Sequence, residues 1–99
     1  MNRKIAWDNN AKAAYYKIIK FIRKESPQNF LLVENAINSM FEFTAEHPEF
    51  RRPDKYRLEN DKGAFRAFEL KSIRVSFFFD ENILLIVRIR HTKQEPLNY

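Results

Sequence analysis

Cysteine is absent from the 99 residues, which excludes a disulfide framework, a thiol nucleophile and a cysteine-bound zinc. The single glycine, Gly63, excludes a glycine-rich phosphate loop. The two histidines, His47 and His91, have no carboxylates at ligand spacing, so no metal site and no cofactor is expected. Ser26, Ser39, Ser72 and Ser76 have no visible base partner, which argues against a serine hydrolase. No run reaches the ~18 to 20 apolar residues of a membrane span. The opening "MNRKIAWDNN" lacks the apolar centre of a secretory signal. The expectation is a cytoplasmic protein without a membrane partner, and the lack of cysteine fits a reducing compartment.

What is present is a core and a positive charge. Hydrophobic residues make up 44% of the chain, ten of them Phe, enough for one small domain over residues 1–99. The net charge is +5, which favours anionic partners through long-range steering. The excess is concentrated in residues 51–66, where Arg51, Arg52, Lys55, Arg57, Lys62 and Arg66 face only Asp54, Glu59 and Asp61.

Periodicity divides the chain. "KIAW" reads as a short strand, followed by Asp8, Asn9 and Asn10 as candidate helix caps. Ala11, Ala14, Tyr15, Ile18, Ile19 and Ile22 then fall on one helical face. Ser26-Pro27 suits the start of a second helix, from Pro27 to about Glu46, with Phe30, Val33, Ile37, Met40, Phe41 and Thr44 on its main face. His47-Pro48 ends it, and the dipole favours a histidine there. Residues 47–64 read as an extended basic loop, with a short strand considered at Lys55–Leu58. After that the period is two. "FRAFEL", "IRVSFFF" and "ILLIVRIR" predict three antiparallel strands. The fold class is α+β, β-α-α-β-β-β, with an N-terminal strand and a helical hairpin on one face of an antiparallel sheet.

The register can be argued. A three-residue loop at Asp80-Glu81-Asn82 pairs Phe79 with Ile83, Phe77 with Leu85, Val75 with Val87 and Ile73 with Ile89. A two-residue loop would mix that apolar set with Arg88. The other face then carries Phe78, Leu84, Ser76, Ile86 and a row of Glu69, Arg74 and Arg88, with Arg90 beside it. Two arginines across a ladder repel, so a negative group should compensate. Either Glu69 does so in an exposed network, or a phosphate or partner carboxylate sits between the guanidiniums. His91 could act as a general acid or base, or simply pack. Trp7 reads as core and Tyr99 as a frayed terminus.

The short strand, the hairpin broken at "ESP", the basic loop and the meander together resemble the RelE/ParE superfamily, toxins of type II toxin–antitoxin modules. "FRAFELKSIRVSF" is similar to the family's aromatic-Arg strand pair, and "LIVRIRHTKQEP" to its closing strand and tail. The resemblance spans essentially the whole chain and implies two alternatives. ParE-like members, linked to plasmid stabilization, poison DNA gyrase and are not enzymes. RelE-like members are metal-independent mRNA interferases that cut mRNA in the ribosome, where basic groups stabilise charge developing at the phosphate. On the RelE-like reading the resemblance places catalytic roles on Arg74, Arg90, His91 and Tyr99. Target contacts would fall on Lys55, Arg57, Lys62, Arg66, Arg88 and Lys93. The "VRIRHTKQEP" ending favours the ParE-like reading; a non-catalytic binding remnant is the third. A toxin implies a cognate antitoxin in a hetero-oligomer. Phe65, Phe78, Leu84 and Ile86, a patch awkward in water, are the candidate antitoxin contacts. Alternatively the tail from Glu95 to Tyr99 folds over them.

Overall fold

The structure is a computed structural model that describes residues 3–60, 62–93 and 98–99. Its elements are β1 (Lys4–Trp7), α1 (Asn9–Glu25), α2 (Phe30–Glu46), a 3-10 turn (Pro48–Phe50), β2 (Arg52–Pro53), β3 (Phe65–Leu70), β4 (Ile73–Phe79) and β5 (Ile83–His91). They form one sheet of order β1-β5-β4-β3-β2. The three long strands make the expected antiparallel meander. However, β1 runs parallel to β5, so the sheet is mixed.

Asp8 caps α1, its carboxylate accepting from the N–H groups of Asn10 and Ala11 at 3.0 and 3.4 Å. The chain turns differently from expectation at Ser26-Pro27. Ser26 closes α1 through its N–H to the Ile22 carbonyl, Pro27 to Asn29 form a turn, and α2 begins only at Phe30. The hairpin is held at its tip by the Arg23 guanidinium, 4.6 Å from the Phe30 ring. The buried residues of α2, Ile37, Phe41, Thr44 and Ala45, run from its middle to its C-terminal end, while Phe30 and Val33 nearer its start pack partly buried against the core. Trp7 packs edge-on to Phe41 at 5.3 Å and beside Tyr15, in the core layer as expected.

The β4–β5 register corrects the sequence reading. Phe79 faces Leu84, Phe77 faces Ile86 and Val75 faces Ile89, so the loop has two residues, Glu81 and Asn82. The Asp80 carboxylate fastens it by accepting from the N–H groups of Asn82 and Ile83 at 2.7 and 2.9 Å. Asn82 has no left-handed φ; among the described residues only Gly63, Lys71 and Ser72 do. A straight ladder from this loop would drive Arg88 into the core, as anticipated. A β-bulge resolves the conflict: Ser76 pairs with Arg88 while Phe77 pairs with Ile86, leaving Val87 as the extra residue. Leu84 and Ile86 before the bulge and Ile89 after it all point to the helices, and Arg88 and Arg90 point away. Leu84 and Ile86 are therefore fully buried core residues, not an exposed patch. Leu85 and Val87 take their place beside Phe65 and Phe78, lining a cleft of about 470 Å³ with Asp8 and Arg57.

Candidate functional site

The face turned away from the helices is assembled by two local devices. Lys71-Ser72 forms a two-residue turn with φ of 49° and 67°, which sets Glu69 opposite Arg74 as predicted. The basic loop then folds over the same face. The Asp54 N–H donates to the Phe65 carbonyl at 2.8 Å. The Asn60 amide brackets Phe65, donating to its carbonyl at 2.8 Å and accepting from its N–H at 2.9 Å. The considered strand at Lys55–Leu58 is a turn instead; the short strand of the loop is β2, paired with β3.

This folding buries Asp54, 2% exposed, at the centre of the face. Its carboxylate accepts from an Arg74 Nη at 2.9 Å, from the Tyr56 N–H at 3.1 Å, and from the Tyr99 hydroxyl. The other Arg74 Nη donates to Glu69 at 2.9 Å, and the guanidinium lies 4.6 Å from the Tyr56 ring. Burial alone would raise the Asp54 carboxyl. The hydrogen bonds from Tyr99, Arg74, Ser76 and the Tyr56 N–H outweigh it and hold the carboxyl below its ordinary range. Burial pushes the Tyr99 phenol up, and its bond to Asp54 adds to the effect. Burial would lower Arg74, but its bonds to Asp54 and Glu69 raise it instead. Burial lowers Arg88, and the Arg90 charge lowers it further.

Sequence reasoning found Arg74, Arg88, Arg90, Glu69 and Ser76 on this face, gave Ser76 no part in the network, and missed Asp54 and Tyr56. The signal for Asp54 was present: an arginine row short of a counter-ion, and an acid set between Pro53 and Lys55 in the loop that must cross it. Arg74 stands opposite Arg90 rather than Arg88, a consequence of the two-residue loop and the bulge together. The Nε atoms of both are buried with no hydrogen-bond partner among the described residues.

The other predicted residues scatter. His91 pairs with Ile73 on the helix side, and its Nδ1 accepts from the Lys93 N–H at 3.2 Å. It lines a separate cleft with Lys17, Phe21 and Ile22, and the sheet divides it from Arg74. Arg66 also points to the helix side, donating to the carbonyls of Glu49 and Arg51 at 3.2 and 2.9 Å, where it fastens the 3-10 turn. Arg57 stacks on Phe65 at 3.5 Å and approaches the Tyr99 ring at 5.3 Å. Lys55 lines a polar cleft of about 370 Å³ with Arg51, Arg52, Glu69 and Arg74. Lys62 and Lys93 are exposed at the margins. Tyr99 is not frayed: its N–H donates to the Tyr56 carbonyl at 2.8 Å, and its ring lies 4.1 Å from the Arg88 guanidinium. Glu95 of the expected tail cover lies outside the described residues, but Tyr99 does lie on this face. No helix among the described residues is long and apolar enough to cross a membrane.

Residues 5–96 match the family described as ParE toxin of type II toxin-antitoxin system, parDE. A search of curated proteins found no match. The match spans nearly the whole chain, and the strand, helical hairpin and meander agree with the RelE/ParE fold. The chain therefore belongs to the ParE toxin family of type II toxin–antitoxin systems, a family that implies a cognate antitoxin.

Proposed function

We propose that the protein is a growth-inhibiting toxin of the ParE kind, acting by contact with DNA gyrase in the cytoplasm and not by cutting RNA. The observation that carries this reading is the engagement of both Arg74 Nη atoms by carboxylates. A group that stabilises a phosphate transition state must direct its donors at the reacting oxygens. Both Arg74 Nη atoms are instead committed to the carboxylates of Asp54 and Glu69, each at 2.9 Å. Tyr99, another residue to which the nuclease reading gives a role, donates its hydroxyl hydrogen bond to the same Asp54. His91 lies across the sheet from both. An anionic substrate would have to approach two carboxylates and break a buried ion pair before any chemistry.

The face still suits an acidic protein or a protein–DNA complex. Arg57, Arg88, Arg90 and Lys55 surround the closed Arg74 network, and Lys62 and Lys93 extend the charge at its margins. Complementary potential of this kind steers association and sets its salt dependence. The antitoxin contact falls on the neighbouring apolar cleft of Phe65, Phe78, Leu85 and Val87.

Induction in cells tests the reading. It predicts lost supercoiling and a DNA-damage response with mRNA intact, relieved by co-expression of the antitoxin. Mapped mRNA breaks that disappear with Arg74→Ala would establish the nuclease reading instead. Absence of any growth effect would favour the non-catalytic binding remnant.

A further inference from the structure

Tyr99 sits in this face as a ligand sits in a site. Its backbone runs along the Tyr56–Leu58 segment in strand fashion: the Tyr99 N–H donates to the Tyr56 carbonyl at 2.8 Å, and the Leu58 N–H donates to the Tyr99 carbonyl at 2.5 Å. Its ring lies 4.1 Å from the Arg88 guanidinium and 5.3 Å from that of Arg57. Its hydroxyl reaches Asp54, a carboxylate with no solvent exposure that Arg74, Ser76 and the Tyr56 N–H also hold in place. Backbone pairing on one side, guanidinium contacts on the ring, and a buried acceptor for the hydroxyl are the three elements by which an extended peptide carrying a tyrosine is recognised. The floor and walls owe little to Tyr99 itself. Asp54 is held by Arg74 and the loop backbone, Arg57 by Phe65, and the loop by Asn60.

We infer that the slot formed by Asp54, Tyr56, Arg57, Leu58 and Arg88 is a recognition site for an extended peptide segment bearing a tyrosine, occupied in cis by Tyr99. A partner chain with such a segment enters by displacing Tyr99, and in doing so gains contact with the cationic face around it. The slot lies next to the Phe65–Phe78 cleft, sharing Arg57 with it, so a single extended segment can fill both. The inference does not depend on which target the toxin inhibits.

A peptide of the chain's own residues 92–99, TKQEPLNY, blocked at its N-terminus and labelled, is the probe. It is titrated against the full chain and against full-length Tyr99→Ala, and binding is followed by fluorescence anisotropy. Saturable binding to Tyr99→Ala is expected, with at least about tenfold weaker apparent affinity for the unaltered chain, because the tethered residue competes at high effective concentration. The same peptide with Phe in place of Tyr should lose about tenfold through the missing bond to the carboxylate. Absence of binding to folded Tyr99→Ala overturns the inference, as does equal binding to both proteins or equal binding of the Phe peptide. Should Tyr99→Ala fail to fold, amide exchange in the unaltered chain decides. The Leu58 amide should exchange faster than the amides of β4 and slow down in excess peptide. Exchange of Leu58 at the rate of β4, unmoved by peptide, overturns it.

Discussion

Asp54 and Arg74, twenty residues apart in sequence, form an ion pair at 2.9 Å in which the carboxylate side chain is 0% exposed and the arginine 12%. One comes from a basic loop and the other from the central strand, so the pair ties the loop to the sheet. With Glu69, it engages both Nη atoms of the arginine to which the nuclease reading gives a catalytic role.

Breaking this pair from one side should be severe. Asp54→Ala leaves the Arg74 charge with only the half-exposed Glu69 and strands the Tyr99 hydroxyl. A loss of about 3–5 kcal/mol is expected, the range for an uncompensated buried charge. Asp54→Ala combined with Arg74→Leu should cost less than Asp54→Ala alone. Urea denaturation of the three proteins checks both statements. A loss under about 1 kcal/mol for Asp54→Ala would show the pair to be incidental.

The pH dependence follows with definite signs. The Asp54 carboxyl is held below its ordinary value, so the folded state binds its proton less readily than the unfolded state. Its contribution is complete above the unfolded value of about 3.9 and is lost as pH falls through the lower folded value. The Tyr99 phenol is raised, so its contribution is complete below about pH 10 and is lost as pH rises through the higher folded value. Denaturation midpoints measured against pH should show an acid limb that Asp54→Asn flattens and an alkaline limb that Tyr99→Phe flattens. Unchanged limbs in these variants would separate the titrations from the network.

The bulge predicts an alternation that reverses the naive one. Ile86, 0% exposed and packed beneath the helices, should lose about 2–5 kcal/mol as Ile86→Ala. Its half-buried neighbour Leu85, on the opposite face, should lose roughly 1 kcal/mol as Leu85→Ala. Thermal or urea unfolding of the pair distinguishes the bulged register from a straight three-residue hairpin, for which the order would invert.

Most of the scaffold was legible because it rests on local periodicity. "KIAW", the apolar face of α1 and the three strands stand where their patterns put them, and the Lys71-Ser72 turn placed Glu69 opposite Arg74. The misreadings were non-local or depended on single side chains. Val87 slips out of the ladder because the tight loop fastened by Asp80 and the need to keep Arg88 and Arg90 in water cannot both be met by a straight strand. Pro27 fits a first helical turn in isolation, but the hairpin needs residues 27–29 to reverse direction. Asp54 looked like one acid among many bases. Only the folding of its loop over the sheet, anchored by Asn60, makes it the counter-ion of the arginine row.

The central claim is that this basic face grips gyrase and does not cut RNA. Purified toxin added to gyrase, ATP and relaxed plasmid tests it most directly, with and without Arg88→Glu, and with a parallel translation reaction whose mRNA is mapped for breaks. The account predicts inhibited supercoiling or linearised plasmid, weakened about tenfold or more by the charge reversal and by raised salt, with the mRNA intact. Normal supercoiling beside broken mRNA would contradict it.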